Sequence, residues 1–226
     1  MSRHLSRIAA PKSWSIKRKF RKWITKPSPG SHSLDNSIPL NVLLKEILNY
    51  AKTTREVKKS LNNILINKTK RKDYRFPIGL FDIIEFPDLQ EYYTLIYDRK
   101  GKFKTLKINK EDAQTKIYKI TGKTILKNKK TQLNLYDGTN ILVKKDEYKV
   151  GDSIIIKNQE IVKHLKLEKG ALIFVTEGKY VGLTGTIETI NKGNPIQKPT
   201  ISFKNKNNLL KTIKDHAFVI EKPFEK

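Results

Sequence analysis

A large excess of positive charge limits what this chain can be more than any other feature of its sequence. Lys and Arg number 47 against 22 Asp and Glu, which gives a formal net charge of +25 at pH 7. Self-repulsion at this charge opposes a compact state, whereas pairing with nucleic-acid phosphates releases condensed counterions and favours binding. RNA or DNA is therefore the expected class of partner.

The sequence has none of the marks of a membrane, secreted or metal-dependent protein. No run of roughly 18 apolar residues is present to span a bilayer, and no basic segment followed by an apolar one opens the chain. Cysteine is absent, which excludes disulfides, a thiolate nucleophile and a cysteine-based zinc site. We expect a cytoplasmic protein with no membrane partner, no small-molecule substrate, no cofactor and no metal.

Arginine and lysine are distributed differently along the chain. All eight arginines lie in the first 99 residues, and the remainder relies on lysine. Arginine binds phosphates and bases through a planar fork, whereas lysine acts as a hydrated point charge. This asymmetry predicts specific RNA contacts upstream and looser backbone contacts downstream, unless a lysine-rich genome accounts for it.

Residues 1–36 have the composition of a basic extension. Nine Lys or Arg precede the first acid, Asp35, and no long apolar periodicity is present. Such a segment is expected to fold against RNA or against the following domain. Trp14 and Trp23 lie among these cations, where each would either stack on RNA bases or pin the extension to a neighbouring core.

Residues 37–90 combine helix and hairpin patterns. Apolar residues recur at helical spacing over 40–51, and Thr53 with Glu56 forms a capping-box pattern at the start of a second helix. A short strand over 64–66 then leads into a basic turn. The cations of the second helix and of this turn are adjacent in sequence, which predicts one RNA-facing surface.

The rest of the chain has the pattern of β structure. Asp137-Gly138 is a favoured two-residue hairpin turn, and a last β module begins near Gly170. Short strands at regular spacing favour a sandwich or a barrel. The predicted strand segments are 93–97, 102–108, 131–136, 139–143 and 154–156.

The sequence carries no catalytic motif. The four histidines are scattered, and neither HExxH, GxSxG nor a phosphate-binding GxxxxGK loop occurs. Asp82 and Glu85 alternate with apolar residues of a strand and should point to opposite faces, which argues against a paired-carboxylate site. We therefore predict that the chain is not an enzyme.

A series of short motifs runs from residue 3 to residue 103. In this order the motifs resemble the small-subunit ribosomal protein four family of archaea and eukaryotes, the S4e family. The motifs are RHLSRIAAPKSW at 3–14, KPS at 26–28 with Gly30 and His32, IPL at 38–40, DYRFPIGLFDII at 73–84, IYD at 96–98 and KGKF at 100–103.

The resemblance implies an S-four RNA-binding domain, in which two short helices and a β hairpin present cations to folded RNA. At the hairpin turn the family usually has Asn-Gly, whereas here Asn67 is followed by Lys68. A left-handed turn is less favourable without glycine, so we expect the tip to bend differently.

The glycines near the end of the chain resemble a KOW motif. Gly178, Gly182 and Gly185 follow an apolar strand, and glycine permits positive φ and the close approach of another backbone, including that of RNA. An ordinary β turn in a small barrel has the same pattern. The resemblance favours a KOW module with Lys179 and Tyr180 on its exposed loop.

The sequence therefore predicts an α+β multidomain chain with four parts. These are a basic N-terminal extension (1–36), a small α/β S-four-like RNA-binding domain (37–90), a central β domain (91–168) and a KOW-type, SH3-like β barrel (169–226). The predicted function is to bind small-subunit ribosomal RNA beside neighbouring ribosomal proteins, in support of subunit assembly and translation. The alternatives are an RNA-modifying enzyme that carries an S-four domain and a KOW-type transcription factor.

The predicted RNA contacts are cations and two aromatic residues from the extension, the second helix, the hairpin and the KOW loop. They are Arg3, Arg7, Lys12, Trp14, Lys17, Arg18, Arg21, Arg55, Lys58, Lys59, Lys68, Lys70, Arg71, Lys72, Arg75, Lys179 and Tyr180.

Overall fold

Nineteen short strands and two short α-helices lie in the part of the chain that the computed structural model describes. The described residues are 4–126, 130–143, 146–158, 160–194, 196–206 and 208–222. The chain divides into two compact units, Met1–Lys116 and Ile117–Lys226. None of the helices among the described residues has the length and apolar character to cross a membrane. The fold is thus mostly β, with its two helices in the first unit.

The first unit contains a five-stranded antiparallel sheet. The strands described in the first unit are β1 (His4–Ser6), β2 (Trp23–Thr25), β3 (Ser37–Pro39), β4 (Leu65–Ile66), β5 (Thr69–Lys70), β6 (Pro77–Gly79), β7 (Ile83–Phe86), β8 (Glu91–Tyr97) and β9 (Phe103–Ile108). The sheet has the order β5-β4-β7-β8-β9, while β1 pairs with β2 and β3 pairs with β6. Because β8 and β9 join this sheet, it extends across the predicted boundary after residue 90. The four-part division of the chain stays a prediction.

The two helices lie between β3 and β4, where the apolar periodicity and the capping box predict them. The first, α1 (Leu40–Val42), runs into a π-helical turn (Leu43–Ile47) and is shorter than the predicted 40–51. It ends there because Asn49 adopts a left-handed φ of 56°, which asparagine tolerates at a helix end. The second helix, α2 (Thr54–Ser60), begins with the predicted capping box.

In α2, the predicted start signal is confirmed at atomic level. The Glu56 backbone N–H donates to Thr53 Oγ1 at 3.3 Å, and the Thr53 backbone N–H donates to the Glu56 carboxylate at 3.4 Å. These bonds satisfy two amides that would otherwise lack intrahelical partners. On the inner face of α2, Val57 is buried, so the cations of α2 remain on its outer face.

The turn between β4 and β5 keeps the left-handed geometry that Asn-Gly would give. Asn67 and Lys68 have φ values of 49° and 62°, the positive values required by a type I′ hairpin turn. Asn67 is held from both sides, since its Nδ2 donates to Asp82 Oδ1 at 2.9 Å and its Oδ1 accepts from the Ile83 N–H at 3.0 Å. The expected change of bend is therefore absent, and the strain falls on Lys68.

We expect Lys68→Gly to be more stable than Lys68→Ala by about 0.5–1 kcal/mol. Left-handed φ costs a residue with a Cβ about 1–2 kcal/mol, and the greater freedom of glycine in the unfolded chain offsets about half of that. Both variants lose the bond that Lys68 Nζ donates to Gln114 O at 3.0 Å, so their difference isolates the backbone. Urea unfolding measures it, and equal midpoints would show that Lys68 is not strained.

The second unit contains two five-stranded sheets. Its strands are β10 (Lys116–Ile125), β11 (Thr131–Leu135), β12 (Asn140–Val143), β13 (Ser153–Lys157), β14 (Glu160–Leu165), β15 (Leu172–Val175), β16 (Thr184–Asn191), β17 (Thr200–Asn205), β18 (Asn208–Ile213) and β19 (Ala217–Val219). The sheets have the orders β12-β11-β10-β13-β14 and β18-β17-β16-β15-β19. Each buries its own apolar cluster, around Ile120 and Leu133 in one and around Ile173 and Phe203 in the other.

The hairpin at Asp137-Gly138 forms where it is predicted, but with a different turn. Leu135 N–H donates to Thr139 O at 2.9 Å, which leaves a three-residue loop, and of the Asp-Gly pair only Gly138 has a positive φ, at 78°. The Asp137 carboxylate accepts from the backbone N–H and the hydroxyl of Thr139. The predicted two-residue turn is wrong here, because the Asp137 side chain bonds Thr139, two residues further on, and Asp137 does not adopt a left-handed φ.

Candidate nucleic-acid interface

Trp14, a predicted RNA contact, lies in the core of the first unit. Its side chain is 1% exposed, and its Nε1–H donates to Ser37 O at 2.7 Å. The adjacent Ser13 O accepts from the Phe103 N–H at 2.7 Å. Trp14 therefore pins the N-terminal segment to the residues that follow it, and it offers no free ring face to a base. This prediction is corrected, and the pinning alternative holds.

Two predicted arginine contacts fold the N-terminal segment itself. Arg7 is 2% exposed and forms an ion pair with Glu46. Arg18 donates through Nη1 to Ala10 O and through Nη2 to Pro11 O, both at 2.7 Å. Their guanidinium groups are committed to internal partners, which argues against a primary role on the RNA surface. Arg3 lies outside the described residues.

The other predicted cations of this segment are exposed, and the segment also contains two exposed aromatic rings. Lys12, Lys17 and Arg21 all reach solvent. Phe20, which the sequence analysis did not single out, is 65% exposed. Trp23 is 55% exposed, so its ring is not buried in a core, and base stacking remains the open alternative for it. The pattern Phe20-Arg21-Lys22-Trp23, two cations between two aromatics, was the signal available in the sequence.

A lysine of α2 contacts the segment that follows the hairpin. Lys58 Nζ lies over the Tyr74 ring, 5.0 Å from its centroid, and the Arg71 guanidinium lies over the Phe76 ring at 4.6 Å. We call the exposed cations of α2 and of residues 70–72 the helix-hairpin surface; that they form one RNA-facing surface stays a prediction. Its exposed cations are Arg55, Lys58, Lys59, Lys70, Arg71 and Lys72.

Two further predicted contacts at this surface have internal partners. Arg75 is half-buried, and its Nε lies 3.6 Å from the carboxylate of Asp73. Lys68 is exposed, but its ammonium group donates to Gln114 O. Both remain near the surface with part of their charge already compensated.

The buried carboxylate of Asp82 bonds residues from four separate segments of the first unit. Asp82 is 0% exposed and accepts from Lys116 Nζ at 2.7 Å and from the Gly79 N–H at 2.8 Å. It also contacts His32 Nε2 at 3.1 Å and binds Asn67, as described above. Burial alone would raise the pKa of Asp82, but the Lys116 charge and the hydrogen bonds from His32 and Lys116 outweigh it and hold this pKa well below its usual range. Asp82 is thus a structural anion, not a catalytic acid.

In the second unit, the predicted KOW loop contains Lys179 and Tyr180. Lys179 is exposed, with its Nζ 5.6 Å from the centroid of the Tyr180 ring. Tyr180 is half-buried and meets the Phe203 ring edge-on at 6.3 Å, so it covers the apolar cluster of its sheet. A Cβ on Gly185 would lie 2.5 Å from Lys204 O, so the close backbone approach at this glycine is made by the neighbouring strand.

Comparison with known proteins finds close relatives over almost the whole chain. A family model described as Ribosomal family S4e matches residues 89–161, and one described as the RS4NT domain matches residues 1–35. The chain is 41% identical over 223 residues to small ribosomal subunit protein eS4 of Archaeoglobus fulgidus, covering 97% of this chain and 93% of that protein. It is 38% identical over 231 residues to the eS4 protein of Methanocaldococcus jannaschii, covering 96% and 93%.

A solved structure is also similar to this chain. The crystal structure of the 30S ribosomal protein S4e from Thermoplasma acidophilum superposes with a TM-score of 0.72 at 26% sequence identity. The match covers 82% of this chain and 95% of that one. The motif resemblance and the arrangement of strands therefore agree.

Proposed function

Because the chain belongs to the S4e family of ribosomal proteins, we propose that its helix-hairpin surface binds small-subunit ribosomal RNA. The chain is a structural constituent of the small ribosomal subunit and not an enzyme. The observation that supports the choice of surface is the pair of cations placed over aromatic rings, Lys58 on Tyr74 and Arg71 on Phe76. Ring contacts restrict these side chains, so less freedom is lost when they bind phosphates.

The supporting chemistry is charge neutralisation combined with shape. The exposed lysines and arginines of this surface release counterions as they meet phosphates, and the turn at Asn67 and Lys68 sets the protrusion that a folded RNA would receive. Neighbouring small-subunit proteins are the further partners of this proposal, and the cytoplasmic ribosome is the location.

The proposed modules are an S-four-like domain in the first unit and a KOW-type barrel in the second. An S-four-like domain would supply the helix-hairpin surface, and a KOW-type barrel over 169–226 would supply Lys179 on its exposed loop. The sheet β18-β17-β16-β15-β19 supports the second assignment, as do the positive φ values of Gly178 and Gly182, 87° and 77°. A barrel of this kind buries apolar residues inside and leaves its loops for contact.

Sedimentation tests the proposed function. We expect the full chain to migrate with small subunits in a one-to-one ratio after a high-salt wash, because a protein built into the subunit is held by many contacts at once. A modifying enzyme or a transcription factor would be substoichiometric or would be released by salt. Such release would reject the proposed function in favour of one of these alternatives.

At the helix-hairpin surface, we expect Arg71→Lys to weaken RNA binding more than Lys72→Arg does. Only the first change removes a planar fork that stacks on an aromatic ring, and loss of a bidentate contact costs about 1–3 kcal/mol, or about five- to hundredfold in affinity. Filter binding to small-subunit RNA at fixed salt measures both variants, which have the same net charge. Nearly equal affinities would indicate that the surface attracts RNA by its total positive charge and not by an arginine-specific contact.

A further inference from the structure

A groove in the first unit separates the N-terminal segment from the residues that follow β3. Its volume is about 970 Å³, and its walls come from residues between His4 and Thr25 on one side and between Asn41 and Thr54 on the other, with Tyr74 and Lys102 completing the lining. Sites for small ligands span about 300–1,000 Å³. We propose that this groove binds an unpaired nucleotide of single-stranded RNA, with its base stacked on Trp23. The inference rests on the proposed function and specifies a second, chemically different contact.

The charge of the groove suits a phosphate backbone. Six Lys or Arg side chains line it, against a single carboxylate, that of Glu46. Glu46 already forms an ion pair with Arg7, so the other cations are available to balance phosphates. They are Lys17, Arg21, Lys45, Lys52 and Lys102.

The groove differs from a simple basic patch because it also contains exposed aromatic residues. The Arg21 guanidinium lies 5.2 Å from the centroid of the Phe20 ring, and Lys22 Nζ lies 5.2 Å from that of Trp23. Large aromatic rings left more than half exposed beside cations are the elements on which single-stranded nucleic acids stack, since every base has a π face. A duplex hides those faces within its own stack, so the site selects unpaired RNA.

A buried polar atom in the wall of the groove points to a ligand as well. Asn41 is 3% exposed, and its Nδ2 donates to Thr25 Oγ1 at 2.6 Å. Its Oδ1 has no hydrogen-bond partner within the described residues. An unsatisfied buried carbonyl oxygen is unfavourable, and the exocyclic amino group of adenine, cytosine or guanine is a donor that would satisfy it.

The test compares the full chain with its Trp23→Ala and Trp23→Phe variants. The probes are a single-stranded RNA oligonucleotide and an abasic oligonucleotide of the same length, which keeps the phosphates and lacks the bases. We expect Trp23→Ala to bind the RNA about five- to hundredfold more weakly, with Trp23→Phe between it and the wild type. Affinity for the abasic probe should not change, because the cations remain.

Fluorescence supplies an independent readout. The chain has two tryptophans, and Trp14 is buried, so the difference in emission between wild type and Trp23→Phe isolates Trp23. We expect RNA to quench this component and the abasic probe to leave it unchanged. Quenching requires contact between base and ring, which a merely structural Trp23 would not make.

Other results would overturn the inference. If Trp23→Ala binds both probes as the wild type does, the groove does not stack bases. The exposed rings would then be assigned to contact with a neighbouring protein. If it weakens both probes equally, the loss is electrostatic or structural. In either case a variant that still migrates stoichiometrically with small subunits leaves the proposed function intact, so the two failures are distinguishable.

Discussion

Replacing Asp82 by Asn is expected to lower the free energy of unfolding by about 3–5 kcal/mol, because it leaves the buried charge of Lys116 uncompensated by its carboxylate. The Lys116 side chain is 8% exposed, so water does little to screen it. The same change weakens the bonds that hold Asn67 and the Gly79 N–H. Urea unfolding at neutral pH measures the effect.

Glu85→Gln is the matched control for Asp82→Asn. Glu85 lies three residues further along, at the middle of β7, and desolvation raises its pKa despite the nearby charge of Lys68. The fold thus does not favour the ionised form of Glu85, and its neutralisation should change stability by less than about 0.5 kcal/mol. Equal losses in the two variants would contradict the anchoring role of Asp82.

The effect of Asp82 should depend on pH in a defined direction. Its folded-state pKa lies below the ordinary value of 3.8, so the carboxylate stabilises the fold above that pH and loses this effect as the pH falls further. The difference in stability between wild type and Asp82→Asn should therefore persist down to about pH 4 and shrink below it. A difference that grew on acidification would be inconsistent with this sign.

Trp14→Ala is expected to cost about 3–5 kcal/mol, the range found when a fully buried large aromatic side chain is truncated. The substitution leaves a cavity and removes the bond to Ser37 O. Because Trp14 fastens the N-terminal segment, residues 4–36 should also become sensitive to protease before the rest of the unit does. Limited proteolysis with mass spectrometry follows the order of cleavage.

Trp23→Ala is the control for Trp14→Ala, since it removes the same ring from a site that is 55% exposed. It should change stability by less than about 1 kcal/mol and should leave the segment resistant to protease. If both variants exposed residues 4–36 equally, burial of the Trp14 ring would not be what fastens the segment to the rest of the unit.

Local patterns were predicted well because their physics is local. The capping box at Thr53 involves residues three apart, and the hairpin of β8 and β9 joins segments separated by one turn. Periodicity also placed α1, although the left-handed Asn49 ended it early. In each case the residues that determine the element lie within one window of sequence.

Turn type was predicted less well because side-chain hydrogen bonds determine it. Asn67 and Lys68 adopt a type I′ turn that the dipeptide alone disfavours, since Asp82 and the Ile83 N–H hold the Asn67 side chain. Asp137-Gly138, a better dipeptide for that turn, forms a three-residue loop instead. The turn preference of the dipeptide was overridden by tertiary hydrogen bonds at Asn67-Lys68 and by a local hydrogen bond at Asp137-Gly138.

The roles of the two tryptophans could not be predicted from composition at all. Trp14 and Trp23 lie in equally basic surroundings, and which ring is buried depends on hydrogen bonds to residues far along the chain, from Trp14 to Ser37 and from Phe103 to Ser13. The same applies to Arg7, whose partner Glu46 is 39 residues away. Charge content identifies the class of partner, whereas the choice of contact residues follows from the tertiary fold.

The carbonyl groups held by Arg18 have a consequence for how this protein meets its partner. Besides Ala10 O and Pro11 O, the guanidinium reaches Ile8 O at 3.1 Å and Arg7 O at 3.4 Å, so one side chain closes the loop between β1 and β2. The loop has its shape from the protein chain alone. Preorganisation of this kind spares binding the entropy of ordering a flexible arm, and under the proposed function the segment would present RNA with a preformed surface instead of a tail that folds on contact.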